Sequence, residues 1–156
     1  MSTAATSGSG LFVEVDTNRD SLVPRAAGFV GSRMHRDVCQ AEGEAADFSR
    51  SRGHPVFPAQ LPSRAVSISV GELAPGAATS NHRHAYETLV YVLSGRGHSI
   101  IEGERVDWRQ GDAFYVAPWE WHQHVADPLQ QARYLASTNL PVLHALGQTV
   151  MREEAR

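Results

Sequence analysis

The clearest pattern along this chain of 156 residues is an alternation of apolar and polar positions that begins at Val66. Residues 66–70 alternate with a period of two, which is typical of a strand with one buried face. Short segments rich in β-branched and aromatic residues follow at intervals of about ten residues, separated by Gly, Pro and Asp. The pattern predicts an all-β fold, either a closed antiparallel barrel or a jelly roll.

The segments on either side of this β-rich region have a different character. Residues 1–60 are expected to form an N-terminal extension, with roughly the first ten residues disordered because they are small and polar. Within the extension, residues 11–15 alternate as an edge strand would, and residues 34–50 favour one or two short helices. We expect the barrel to span residues 61–140, and a short C-terminal helix with a charged, frayed tail to occupy residues 141–156.

Length, charge and cysteine content exclude several classes of protein. The length fits one domain, and the formal net charge of −3 without a basic run argues against nucleic-acid binding. No apolar run is long enough to span a membrane, and the N-terminus does not have the pattern of a signal peptide. The single cysteine, Cys39, rules out an internal disulfide. The sequence therefore predicts a soluble, cytoplasmic protein.

Two histidine clusters are the strongest candidates for chemistry: His82-Arg83-His84 and His122-Gln123-His124. On a strand, residues two positions apart point to the same side, so both imidazoles of each pair can face inward. Three imidazoles from two strands would bind a divalent metal and leave coordination positions open, as in catalytic sites. Imidazole suits Fe, Zn, Cu and Ni, so it does not name the metal. Glu87, three residues after His84, is a candidate fourth ligand.

The spacing of these residues resembles that of the cupins. The first cupin motif has its likeness in five residues: Gly76, His82, His84, Glu87 and Gly95. The second has its likeness in Gly111, Asp112, Pro118 and His122. The resemblance covers about residues 66–138. It implies a double-stranded β-helix, or jelly-roll barrel, in which His82, His84 and His122 hold one metal ion per chain. It also implies a homodimer formed through the outer strands and the N-terminal extension.

Two positions depart from the cupin pattern. The usual cupin glutamate corresponds here to Thr88, so Glu87 comes one position early and would point to the opposite face of a regular strand. Glu87 thus remains either a metal ligand, reached through a bulge, or an acid at the barrel mouth or beside the ligands. Trp119 stands where cupins usually have glycine.

A narrower resemblance concerns the segment from Trp119 to His124. Together with the first histidine pair it is similar to gentisate 1,2-dioxygenases and related salicylate and hydroxynaphthoate ring-cleaving enzymes. Those double cupins hold Fe(II) with three histidines, and the substrate's carboxylate and hydroxyl chelate the iron beside O2. Here Val90 stands where that family tends to have arginine, and Glu87 where it has a small residue. These differences favour another phenolic or hydroxylated carbonyl compound over gentisate as the substrate. Single-cupin dioxygenases of hydroxyacetophenone-like compounds and single-cupin polyketide cyclases are similar to this chain in length and motif.

Roles for the remaining residues follow from their positions. His124 lies two residues after His122 and is predicted to face inward as a hydrogen-bond donor or general acid or base, with Glu87 as a second catalytic candidate. Substrate contacts are predicted for Trp119, Trp121, Tyr91 and Arg133. The alternatives are that the two tryptophans pack at the rim, and that the arginines, including Arg83, form salt bridges.

The function predicted first is a mononuclear metal-dependent dioxygenase that acts with O2 on a small aromatic, phenolic or hydroxyketone substrate. Fe(II) is the expected metal, with Zn, Ni or Mn as alternatives. A second hypothesis is a non-oxidative enzyme, a cyclase, isomerase or lyase, that uses Zn or another divalent ion. A third is a non-catalytic cupin that binds a small ligand. Metal identity and oxygen dependence separate the first two hypotheses, and a metal that can be removed without loss of function would indicate the third.

Overall fold

The structure, a computed structural model, describes residues 31–40, 44–148 and 152–155. The disordered tail predicted at residues 1–10 and the edge strand predicted at residues 11–15 lie outside the described residues. The elements in chain order are α1 (Glu44–Arg52), β1 (Val56–Pro58), β2 (Ser67–Leu73), β3 (His82–His84), β4 (Thr88–Ser94), β5 (Arg96–Ile101), β6 (Glu104–Arg109), β7 (Ala113–Val116), β8 (His122–Ala126), β9 (Ala132–Thr138), α2 (Leu140–Ala145) and β10 (Arg152–Glu154).

The strands form two five-stranded sheets, in the orders β1-β2-β9-β4-β7 and β10-β3-β8-β5-β6. Each of these neighbouring pairs is antiparallel. Strands that are distant in sequence lie side by side, as in a jelly roll, because the chain crosses repeatedly from one sheet to the other. The predicted all-β architecture is confirmed. The first sheet already begins at Val56, within the segment that the sequence assigned to the N-terminal extension.

The interior of the barrel follows from the alternation of side chains along the strands. In β4, Thr88, Val90 and Val92 are buried, and Leu89 and Tyr91 between them are exposed. The buried apolar cluster consists of Leu73, Val90, Val92, Trp108, Ala126, Ala132 and Tyr134. Strand β8 joins this cluster to the histidines, because its three buried positions are His122, His124 and Ala126. The hydrophobic core and the candidate site therefore share one inner surface.

Strand β10 differs from the frayed tail that the sequence predicted. It pairs with β3 in the register Arg152↔His84, Glu153↔Arg83 and Glu154↔His82. Side chains directly opposite each other in an antiparallel pair lie on the same face. Glu153 accordingly forms an ion pair with Arg83 at 2.7 Å on the outer face, and Arg152 and Glu154 share the face of the histidines. Three residues are too few for a recognisable alternation, so this strand was missed.

The first helix, α1, precedes the strands, and α2 lies between β9 and β10. Of the one or two helices predicted in residues 34–50, the structure has α1, which begins and ends later, and α2 confirms the predicted short helix near the C-terminus. Among the described residues, no helix is long and apolar enough to cross a membrane.

The packing of Tyr134 over Gly71 gives a first test of this fold. A Cβ atom at Gly71 would lie 2.2 Å from Cζ of Tyr134, its partner across β2 and β9. We expect Gly71→Ala to displace the ring and to lower the free energy of unfolding by about 1–3 kcal/mol, measured by denaturant titration. In a Tyr134→Ala background the same substitution should cost far less, because the clash is gone. Equal costs in both backgrounds would contradict the packing.

Candidate metal centre

Strands β3 and β8 bring three of the predicted ligands together. His82 lies directly opposite His122, and His84 follows on the same face of β3. All three side chains are buried, with exposed fractions of 6%, 3% and 2% for His82, His84 and His122. One ring nitrogen from each lies within 4.8 Å of the others. The ring centroid of His122 is 4.1 Å from that of His82 and 4.8 Å from that of His84. The geometry is that of a three-histidine metal site.

Backbone carbonyl groups fix the tautomer of each of these histidines. Nδ1 donates to the carbonyl oxygen of a residue two positions away, at 2.8 Å for His82 to Ser80, 2.7 Å for His84 to Tyr86 and 2.8 Å for His122 to Glu120. Because a carbonyl oxygen only accepts, the proton of each neutral ring is on Nδ1 and the lone pair is on Nε2. Histidines that bind metals are commonly oriented in this way.

Burial keeps the three rings in the form that binds metal. Burial, and then the charge that His122 would carry, lowers the pKa of His82 to about 2 and that of His84 to about 4. Burial also lowers the pKa of His122. Neutral imidazole is the state that coordinates a metal ion. This donor set therefore fits one divalent ion, and Fe, Zn, Cu and Ni all accept such ligands.

His124 faces the same cavity but has the opposite tautomer. Its Nδ1 lies 2.8 Å from the hydroxyl of Ser99, which already accepts a hydrogen bond of 2.9 Å from Nε1–H of Trp108. Ser99 is fully buried, so its own hydroxyl proton needs an acceptor, and Nδ1 of His124 provides it. The ring proton of His124 is therefore on Nε2. Burial lowers the pKa of His124 to about 3, so the ring stays neutral. His124 presents an N–H donor where the other three histidines present lone pairs.

The four histidines open into a cavity of about 200 Å³. Its wall also contains Thr88 and Val90 from β4, Tyr134 from β9, and His54 from the loop after α1. Nδ1 of His54 donates to the carbonyl oxygen of Arg52 at 3.0 Å, so its Nε2 accepts from the hydroxyl of Tyr134 at 2.9 Å. A larger groove of about 630 Å³ is lined by residues such as Arg96, Arg105 and Asp107 and by none of these four histidines, so the smaller cavity is the candidate site.

Glu87 lies on the outer side of the barrel wall. Its carboxylate accepts hydrogen bonds from Nδ2 of Asn139 at 3.3 Å and from the hydroxyl of Tyr115 at 3.1 Å. The next residue, Thr88, is buried and lines the cavity, so alternation directs Glu87 away from it. The structure thus does not bring Glu87 to the three histidines, and no bulge corrects the one-position shift seen in the sequence.

Trp119 and Trp121 also lie outside the cavity wall, where they flank the guanidinium of Arg83. The centre of that group lies 5.3 Å from the Trp119 ring and 4.7 Å from the Trp121 ring, which are cation–π distances. Arg83 points away from the two ligands beside it and pairs with Glu153, as the salt-bridge alternative expected. Trp119 has a φ of 67°, the left-handed conformation that favours glycine, which accounts for the glycine usual at this cupin position.

The other two predicted substrate contacts face outward because of strand alternation. Tyr91 is 47% exposed on the outer face of β4. Arg133 forms an ion pair with Glu72 at 2.8 Å, and its neighbour Tyr134 faces the cavity instead. Leu89 and Tyr91 leave an apolar outer surface on this sheet. The homodimer that the sequence predicts stays a prediction.

Several polar or charged residues of the cavity wall were not predicted as site residues, among them Arg52, His54, Thr88, Tyr134 and Arg152. Strand alternation alone could have found Thr88 and Tyr134, since each is next to a residue that faces outward. Arg52 and Arg152 come from α1 and β10, far from the histidine clusters in sequence. Their approach depends on tertiary folding, and no local pattern marks it.

Comparison with known proteins agrees with this architecture. Residues 69–138 match the Cupin domain family. The chain is 35% identical over 83 residues to a 5-aminosalicylate 1,2-dioxygenase of a Comamonas species, covering 53% of this chain and 21% of that protein. It is 32% identical over 72 residues to gentisate 1,2-dioxygenase 1 of Aquipseudomonas alcaligenes, and this match covers 46% of this chain and 21% of that protein. The chain thus spans about a fifth of the length of these relatives.

Solved structures share the fold at low sequence identity. A salicylate 1,2-dioxygenase from Pseudaminobacter salicylatoxidans superimposes with a TM-score of 0.61 at 20% identity, over 65% of this chain and 30% of that one. A cupin-2 domain from Rhodospirillum rubrum gives a TM-score of 0.57 at 19% identity, over 67% of each chain. Similarity at this level concerns the fold alone.

Metal content distinguishes ligands from neighbours. We expect His82→Ala and His84→Ala each to bring the metal content of the purified protein from one ion per chain to near zero, because two imidazoles bind a divalent ion weakly. Glu87→Gln should retain one metal ion per chain, since the Glu87 carboxylate faces outward. Elemental analysis measures the content, circular dichroism checks that the barrel is folded, and His98→Ala on β5 serves as a matched control. A full equivalent in both alanine variants would contradict the site.

Proposed function

We propose that this chain, which is a cupin, is a mononuclear metal-dependent dioxygenase acting on a small aromatic or phenolic substrate. The observation that carries the proposal is the tautomers of the four cavity histidines. Three of them present an Nε2 lone pair that can bind a metal ion, and His124 presents an Nε2–H donor. The relatives named as 1,2-dioxygenases support it. Fe(II) is the metal we propose, held by His82, His84 and His122.

The size and lining of the cavity support a substrate with one ring. A cavity of about 200 Å³ is somewhat larger than the roughly 150 Å³ that accommodates benzene in an engineered core. Its wall combines apolar surface from Val90 and Tyr134 with hydroxyl groups.

The residues of the chain divide the chemical tasks among them. A divalent ion at the three histidines would supply Lewis-acid activation of a chelating substrate and, as iron, would let electrons pass from the substrate to O2. Nε2–H of His124 donates a hydrogen bond to a substrate oxygen that gains negative charge. Tyr86 stacks on the His84 ring at 3.8 Å and accepts its Nδ1–H, which holds this ligand in orientation.

A non-oxidative reaction is the second candidate, because three neutral imidazoles suit Zn as well as Fe. In that case the same residues would activate a hydroxyl or carbonyl group for cyclisation, isomerisation or elimination. A cupin that binds a small ligand without turnover is the third. The metal and the use of oxygen separate these functions.

Oxygen uptake by anaerobically purified, metal-analysed protein tests the proposed function directly. We expect about one iron per chain and O2 consumption that depends on one member of a panel of phenolic acids and hydroxyketones. Zinc or nickel without uptake, but with conversion of a panel compound, would replace the proposal with the non-oxidative reaction. Binding without conversion under either condition would indicate the third function.

His124 should be needed for turnover but not for metal binding. We expect His124→Ala to keep one metal ion per chain and to lower kcat by about 10²- to 10⁴-fold, the range for a lost proton-transfer or donor group. Ser99→Ala, which removes the partner that fixes the tautomer and also the acceptor of Trp108 Nε1–H, should lower kcat less and leave KM nearly unchanged, with circular dichroism to check that the barrel is folded. Loss of metal from His124→Ala would instead make this residue a ligand, contrary to the assigned tautomer.

A further inference from the structure

We propose that Arg52 and Arg152 form a subsite for an anionic group, a carboxylate, on the substrate of the metal centre. This inference rests on the proposed function in that it places the substrate in the same cavity. It names a property of the substrate, its negative charge, that the histidine site alone does not specify.

Strand register places Arg152 on the inner side of the barrel. Arg152 lies opposite His84, and its neighbour Glu153 faces outward to Arg83. The Arg152 side chain is only 18% exposed, and it lines the cavity that the histidines share. A guanidinium thus reaches the site from an edge strand directly beside the strand that carries two metal ligands.

Arg52 approaches the same cavity from the end of α1. Its guanidinium centre lies 4.6 Å from the centroid of the Phe48 ring, and both residues line the cavity. Within the described ranges, no carboxylate forms an ion pair with Arg52. Burial, and then the positive charge of Arg152, lowers the pKa of Arg52. Two guanidinium groups therefore face one partly desolvated space.

The charges around this space do not balance. Arg152 pairs with Glu154 at 2.7 Å, and Glu154 also exerts an attractive charge on Arg52. One carboxylate thus serves two guanidinium groups, and the four histidines beside them are neutral. A desolvated cation without a partner is costly, and an anionic ligand removes that cost. A bound metal ion would increase the positive charge further.

A carboxylate fits this pair and this cavity better than a larger anionic group does. Arginine binds carboxylates with two parallel N–H···O bonds, and a cavity of about 200 Å³ leaves little room for a larger anion beside a ring. Two arginines near the histidine clusters or on the same sheets have partners outside the cavity: Arg83 pairs with Glu153 and Arg133 with Glu72. Among the described residues, Arg52 and Arg152 are thus the arginines that line the cavity.

Binding to zinc-loaded protein tests this subsite without turnover. The probes are 2-hydroxybenzoate and its neutral amide, 2-hydroxybenzamide, titrated by calorimetry into wild type and variants. We expect wild type to prefer the carboxylate, and Arg152→Gln and Arg52→Gln each to weaken carboxylate binding by about 10- to 100-fold with little effect on the amide. Glu154→Gln should strengthen carboxylate binding, because it removes the competing acid. Arg105→Gln, in the separate groove, is the matched control.

The double variant Arg152→Gln/Glu154→Gln separates a lost cation from an acid left unpaired. The double variant is compared with Glu154→Gln alone: if it binds the carboxylate about 10- to 100-fold more weakly than Glu154→Gln does, the guanidinium itself binds the anion. The subsite is overturned if wild type does not prefer the carboxylate, if both single arginine variants keep wild-type affinity, or if the double variant binds the carboxylate as tightly as Glu154→Gln. Metal content and circular dichroism verify folding of each variant. Absence of O2 uptake together with an intact carboxylate preference would reject the dioxygenase but leave the subsite standing.

Discussion

The pairing of His82 with His122 across β3 and β8 is the constraint on which the site depends. Residues directly opposite each other have Cβ atoms about 4.5–5.5 Å apart, so this pairing brings imidazoles from distant parts of the chain to one point. A slip of one residue would turn both histidines of β3 outward. Strand β3 has only three residues, and β10 pairs with its other edge. The C-terminal strand therefore helps to maintain the register that creates the metal site.

Burial and hydrogen bonding together give the four histidine side chains two different functions. Exclusion of water keeps the rings neutral, and each neutral ring has one donor and one acceptor nitrogen. Where Nδ1 faces a backbone carbonyl, Nε2 becomes a potential ligand. Where Nδ1 accepts the proton of the Ser99 hydroxyl, whose oxygen accepts from Trp108, Nε2 becomes a donor. The identity of the hydrogen-bond partner, more than the position of the ring, thus decides which histidines can bind metal.

The sequence predicted the fold and the three clustered histidines because both depend on local patterns. Period-two alternation and short spacings between histidines can be recognised in the sequence without knowledge of the tertiary packing. The substrate contacts were harder to predict. Tyr91 and Arg133 have side chains suited to substrate contacts, but alternation along β4 and β9 turns them outward. Trp119 and Trp121 enclose Arg83 instead of a ligand. Arg52 and Arg152 reach the cavity only through the packing of α1 and β10, which leaves no trace in a local motif.

The placement of arginines beside a cation site has an energetic consequence. Before any metal binds, the pair Arg52 and Arg152 shares one carboxylate, Glu154, so the surroundings already oppose a divalent cation. If an anionic substrate binds at this arginine pair, its charge would offset the repulsion between the two guanidinium groups and the repulsion of the ion. Metal and substrate anion would then favour each other's binding by the same factor, because coupling between two equilibria is reciprocal. The surplus positive charge of the cavity would be the source of that coupling.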